Sequence, residues 1–263
     1  MNKIVYKIAV FIISSMIMIS CGEEQTFFKS IGPIPDGARI KFIHAASDTT
    51  GANFFLSGQK ITSGTTVGTA TAPSVVAYPI PFPAVDYSTI TSGSYTLQVI
   101  VPDKLVGTTQ YVQKTMVSSD LNVDAEKYYT IAFAGVTGAY QAVVLEDATG
   151  SIPFDGQSYI RFVNLIHNST NKVNVVATPL SGDLTPINIA TNVGYKEMVE
   201  FTGQIPRNYT IRLLDAVTPA TIIATATPAN GTLIGNKVYT LFARGRIGAG
   251  GAAVPVLDRM VNR

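Results

Sequence analysis

The sequence predicts an all-β protein: two tandem antiparallel β-sandwich domains behind an export leader. Three observations carry this. The chain is rich in Thr, Val, Ile, Tyr, Gly and Pro and only 14% charged, a composition that suits pleated, half-buried strands better than helices. Apolar residues recur at every second position, the period at which side chains leave one face of a strand. A block of such strands then occurs twice, and a repeat of this length fixes the architecture before any single element is assigned.

Residues 1–20 begin with Lys3 and Lys7 and continue as "IAVFIISSMIMIS", a core too short to cross a bilayer and suited to a signal peptide. Ser20 then precedes Cys21, the only cysteine of the chain. The stretch Met18-Ile19-Ser20-Cys21 resembles the bacterial lipobox, with Met18 where leucine is usual. That resemblance implies lipidation of Cys21 and cleavage before it. A lone cysteine in an exported chain has no internal disulfide partner, and an acyl anchor accounts for it. Removing the leader takes two of the 19 basic residues and leaves 17 against 17 acidic ones. A neutral mature chain is not suited to nucleic acid or to electrostatic binding of anionic lipid. Residues 21–37, with Gly32, Pro33, Pro35 and Gly37, read as a lipidated tether.

"ARIKFIHAA" from Ala38 returns as "SYIRFVNLI" from Ser158. "TSGSYTLQVIV" from Thr91 returns as "QIPRNYTIRLL" from Gln204, and "EKYYTIAFAGV" from Glu126 as "NKVYTLFARGR" from Asn236. These pairings, the last carried on to "VVLED" and "PVLDR", align Tyr95 with Tyr209, Tyr129 with Tyr239 and Leu145 with Leu257. They predict domain 1 over 38–148, a linker over 149–156 and domain 2 over 157–260. In the first strand Ile40 and Phe42 share one face, with Arg39 and Lys41 opposite; Ile160 and Phe162 likewise oppose Arg161. Tyr95, Leu97 and Val99 share a face, as do Tyr209, Ile211 and Leu213. Gly and Pro punctuate these runs at short intervals, which predicts several short antiparallel strands per copy, and two stacked sheets bury both apolar faces.

"IKFIHAASDT", "GSYTLQV", "YYTIAFAGV" and "VVLED" resemble the tandem β-sandwich domains of unknown function found in bacterial envelope lipoproteins of the Bacteroidetes type. The resemblance covers most of the first copy and is weaker in the second, where Asn164 replaces His44. It implies an immunoglobulin-like fold and an outer-membrane or wider cell-envelope location, and no catalytic residues.

Candidate chemistry is sparse. His44 ends the first strand and His167 lies in a later loop; neither has a His or Cys at ligand spacing, and His44 reads as a hydrogen-bonding structural residue. Asp120, Asn122 and Asp124 alternate like the start of a calcium loop, but Ala125 stands where that loop needs glycine and Ile131 where it needs a closing carboxylate. Glu146 and Asp147 are adjacent on a strand and leave it on opposite faces, so they cannot flank one glycosidic bond. "RGRIGAGG", residues 244–251, lies between strands and reads as a hairpin, not a phosphate loop. No Gly-x-Ser-x-Gly elbow occurs. The triplets at 168–170 and 208–210 are incidental in a bacterial lipoprotein.

Residues 75–87, "VVAYPIPFPAVDY", are apolar and aromatic, and Pro79, Pro81 and Pro83 exclude a central strand. Tyr78, Ile80, Phe82 and Tyr87 are the candidate partner-binding residues, unless the segment packs along the edge of domain 1. The sequence therefore points to a non-catalytic, lipid-anchored binding or adhesion module with no metal and no cofactor. Its partners are the membrane, through Cys21, and a glycan, polymer or protein. A periplasmic assembly component of the envelope is the alternative, and a carbohydrate-active hydrolase ranks below it.

Overall fold

The computed structural model describes residues 37–49, 51–62, 74–105 and 107–263. The leader, Cys21 and the tether through residue 36 lie outside them. The described chain is all-β. Its only helical segments are two single turns of 3-10 helix, at Thr149–Ser151 and Gly251–Ala253.

Strands β1 (Gly37–His44), β2 (Gly51–Leu56), β3 (Gln59–Lys60), β4 (Val76–Ala77), β5 (Pro81–Phe82) and β6 (Ser88–Thr91) precede the long hairpin β7 (Gly93–Lys104) and β8 (Tyr111–Val123). The hairpin β9 (Tyr128–Ala134) and β10 (Gln141–Glu146) follows. The second half runs β11 (Ser158–Asn164), β12 (Val173–Pro179), β13 (Ile187–Val193), β14 (Thr202–Gln204), β15 (Tyr209–Asp215), β16 (Ile222–Thr225), β17 (Val238–Arg244) and β18 (Val256–Val261). Among the described residues these strands form four sheets. One has the order β10-β9-β1-β5, with β6 also on β1, and one the order β3-β2-β7-β8, with β4 on β2. The other two are β14-β11-β17-β18 and β13-β12-β15-β16.

The expectation of wholly antiparallel sheets needs correcting. β1 runs parallel to β9, with Ile40 opposite Tyr129, and β11 runs parallel to β17, with Ile160 opposite Tyr239. A tight turn cannot join parallel neighbours; here the chain leaves β1, builds the facing sheet and returns as β9.

Alternation selects the faces as expected. Ile40, Phe42, Phe54, Leu97, Val99, Leu121, Ile131 and Phe133 fill one core between the first two sheets. Ile160, Phe162, Val175, Ile211, Leu213, Tyr239 and Leu241 fill another between the last two. The aligned tyrosines tie the same corner in each half: the Tyr95 hydroxyl donates to the Thr91 carbonyl at 2.6 Å and that of Tyr209 to the Ile205 carbonyl at 2.7 Å.

A third core joins the halves. Ile43, Ala132, Val143 and Leu145 pack against Val163, Leu165, Phe242 and Met260, so the β1 and β11 sheets lie face to face in the middle of one compact unit. Repeat positions meet reciprocally, as in an isologous interface. The Lys41 ammonium donates to the Val261 carbonyl at 2.6 Å, and the Arg161 guanidinium to the Glu146 carbonyl at 3.0 Å.

That reciprocity also corrects one alignment. Leu145 stands opposite Thr130, and the residue opposite the equivalent Thr240 is Met260, not Leu257. The hairpin pairing Ala134 with Gln141 encloses six residues, whereas that pairing Arg244 with Val256 encloses eleven. The extra loop length shifts the last strand relative to a gap-poor alignment.

Candidate functional site

Lys41 and Arg161 sit on strand faces that a half-buried sheet turns to water, yet they are 0% and 1% exposed. A buried charge persists only when compensated; the seam between the inner sheets gives Arg161 an ion pair and Lys41 a carbonyl acceptor with the Asp147 and Asp86 charges nearby. Arg161 forms an ion pair with Asp147 and donates from Nε to Thr240 Oγ1 at 2.9 Å. Asp147 Oδ2 also accepts from the Thr130 and Tyr87 hydroxyls, each at 2.6 Å. Thr240 donates to Asn262 Oδ1 at 2.8 Å, and Asn262 Nδ2 donates to the Tyr87 oxygen at 2.7 Å. Lys41 lies 4.9 Å from the Tyr87 ring centre, and Arg161 4.6 Å from that of Phe201.

Burial pushes the Lys41 ammonium down to about 8, partly offset by Asp147 and Asp86. Burial first, then the Asp147 charge, hold the Tyr87 phenol far above its ordinary range, so it stays a donor. Asp147, with three donors on it, is committed to holding the halves together and is not placed as a general base. Its neighbour Glu146 is exposed and pairs with Lys127 at 3.2 Å, so the two carboxylates diverge as the strand period requires.

Where this network reaches the surface, a cleft of about 250 Å³ opens, lined by Arg39, Asp86, Tyr87, Tyr128, Asn262 and Arg263 with the 149–150 backbone. The Arg39 guanidinium lies 5.2 Å from the Tyr128 ring centre, and Tyr128 meets Tyr87 edge to face at 5.1 Å. Arg263 donates to the carbonyls of Thr149, Ile152 and Pro153 at 3.0 to 3.4 Å, which pins the connection between the halves. A cationic, aromatic and amide lining can hold a polar ligand by hydrogen bonds and ring contact. Among the described residues its lining holds one acidic side chain, Asp86, and no Ser, Cys or His.

The residues picked for partner binding fall in different places. The Tyr78 hydroxyl accepts from Arg244 at 2.6 Å, and the Arg244 guanidinium covers the Tyr78 ring at 4.5 Å. Phe82 pairs with Phe42 across β5 and β1 and packs on the first core. Tyr87 joins the seam network and one wall of the cleft, while Ile80 is 51% exposed. Tyr78 and Tyr87 thus reach the second half of their own chain, and no site gathers all four residues.

His44 is buried, its Nε2 3.0 Å from the Thr49 hydroxyl, and burial lowers its pKa to about 4. Asn122 is taken by Ser94 at 2.6 Å and Asp124 by Lys127 at 3.2 Å. Among the described residues no three His, Cys, Asp or Glu side chains converge as metal ligands.

Sequence reasoning missed Arg39, Asp86, Tyr128, Asn262 and Arg263 as cleft residues. They come from four separate places in the chain, and only sheet-on-sheet packing brings them together. The legible signal was the repeated basic position, Lys41 and Arg161, on a strand otherwise apolar enough to be buried on both faces.

The fold and seam together define an all-β, sandwich-type protein whose candidate site lies between its inner sheets. The chain belongs to the family of the domain of unknown function DUF4397, which it matches over residues 38–176. That span runs from β1 into β12 and so crosses the seam. No curated protein matches the chain. Among solved structures it is similar to CBMbc, a family CBM26 domain of Amy13K from Eubacterium rectale crystallised with maltoheptaose. The identity is 12%, the match covers 86% of this chain and 95% of that one, and the TM-score is 0.24.

Proposed function

We propose that the protein is a non-catalytic binding module of the bacterial cell envelope, anchored by lipid on Cys21 and presenting two tandem immunoglobulin-like domains, 38–148 and 157–260. The observation that carries the binding reading is the seam cleft. Its arginines and tyrosines converge on open space beside the exposed carboxylate of Asp86, while the buried carboxylate of Asp147 is spent on holding the halves together. The paired tyrosine corners support the immunoglobulin-like assignment, since that tie fixes the chain at a sandwich edge. The leader pattern and lone Cys21 support the anchor. A glycan, polymer or protein is the partner.

The test is protease shaving of intact cells, with a periplasmic protein as integrity control, for the natural chain and Cys21→Ala. Cleavage of the natural chain while the control survives is the expected result and makes it an outward-facing binder. Protection until the outer membrane is opened favours a periplasmic assembly role instead. Normal processing and membrane partition of Cys21→Ala refute the anchor.

A further inference from the structure

We propose that the seam cleft is a subsite for a sugar carrying a carboxylate, a uronate unit or end group of an acidic polysaccharide. This rests on the binding-module reading and names its ligand class. Arg39 is a half-buried cation whose guanidinium makes a ring contact with Tyr128 and, among the described residues, no hydrogen bond or ion pair. Its planar fork, which matches a carboxylate in two-point geometry, is therefore unspent. Arg263 adds a second guanidinium, oriented by three carbonyls, none of them charged, and its Nε is buried with no partner.

The second half shows that the fold does not need these cations. At the equivalent place along the seam lies a second cleft of about 210 Å³, lined by Tyr159, Glu200 and Phe201 where the first has Arg39, Asp86 and Tyr87. The strand register also sets Val238 where the first half has Tyr128. The same backbone closes there with a neutral ring, and the Tyr159 hydroxyl is already used by Asp155 at 2.9 Å. Among the described residues, an arginine without an ion pair beside two tyrosines is thus particular to the first cleft.

Asp86 narrows the class. It is exposed, lines the cleft and has a left-handed backbone with φ of 57°. Its carboxylate repels a compact dianion such as phosphate but accepts hydrogen bonds from sugar hydroxyls. A uronate meets both demands, offering an anion to Arg39 and vicinal hydroxyls to Asp86, with the Tyr87 and Tyr128 rings as an apolar wall. The cleft is smaller than the roughly 300–1,000 Å³ of drug-sized sites, so it takes about one ring.

The experiment is calorimetric titration of the full mature chain with trigalacturonate and, as the neutral trimer, maltotriose. Trigalacturonate is expected to bind, more weakly as salt is raised, and maltotriose not to bind. Arg39→Gln is expected to weaken binding about tenfold or more, the size of one lost two-point charge contact, with Arg39→Lys in between. Asp86→Asn lies in an exposed turn and probes the cleft without touching a strand; it is expected to weaken binding too, while Glu200→Gln in the second cleft leaves it unchanged. Equal affinity for the two trimers, or trigalacturonate binding unaffected by both Arg39→Gln and Asp86→Asn, overturns the assignment but keeps a binding module. Absence of heat with either trimer also overturns it, and the binding reading then stands or falls on the shaving result.

Discussion

Asp147 is the residue whose loss the seam tolerates least. Asp147→Ala leaves the Tyr87 and Thr130 hydroxyls and the Arg161 guanidinium without their acceptor, and it strips Lys41 of the nearby negative charge that supports its ammonium. The dominant cost is the stranded Arg161, since breaking one side of a buried ion pair costs about 3–5 kcal/mol. Each orphaned hydroxyl adds on the order of 1 kcal/mol. Arg161→Met is milder, because Asp147 keeps two hydroxyl donors. The double variant Asp147→Ala/Arg161→Met removes both charges, so the coupling between the sites should be at least about 2 kcal/mol. The chain has no tryptophan, so urea unfolding is followed by tyrosine fluorescence and by strand circular dichroism. A loss below about 1 kcal/mol for Asp147→Ala, the scale of an ordinary surface or single hydrogen-bond change, refutes the reasoning. Strictly additive single substitutions refute it equally, because the seam charges would then act independently.

Three further outcomes are expected. His44 has its folded pKa lowered to about 4 from 6.5, so the unfolded chain takes up the proton first: stability is full above pH 6.5 and falls toward pH 4 by up to about 3 kcal/mol. An unfolding series over that range checks this, and His44→Gln should flatten it. Lys41, lowered to about 8 from 10.5, makes the natural chain gain stability as pH rises from 8 toward 10, a slope that Lys41→Met should abolish and that the same series extended upward will detect. Gly135 has φ of 100° and a β-carbon there would lie 2.2 Å from the Ala139 carbonyl oxygen, so Gly135→Ala should cost at least about 2 kcal/mol. Gly138→Ala, at φ of 85° in open space, carries backbone strain alone and should cost about 1 kcal/mol; equal melting temperatures for the two variants would contradict the close approach.

Much of the fold was legible because a strand writes its faces into the sequence at a period of two. Ile40, Phe42, Ile160 and Phe162 went to the cores that alternation assigned, and the aligned Tyr95 and Tyr209 make the same corner. Residues 75–87 took the short edge strands that Pro79, Pro81 and Pro83 permit. The candidate site was mostly illegible. Of its lining only Tyr87 was singled out, since Arg39, Asp86, Tyr128, Asn262 and Arg263 carry no common spacing. The alignment of the last strand failed at one loop, because a hairpin of eleven residues and one of six can enclose equivalent strands.

The sequence by itself determined that the chain is all-β, that its strand block repeats, and which side chains face the two cores. It did so because pleat geometry and burial are local, readable from each residue and its second neighbour. Only the tertiary structure decided what covers the other face. Lys41 and Arg161 lie opposite the apolar face of their strands, and nothing local distinguishes a charge in water from one compensated by a residue of the other half. Stacking the inner sheets made that distinction: it buried the polar faces against each other, tied them by hydrogen bonds across the seam, and left the cleft where the match between the two halves is incomplete.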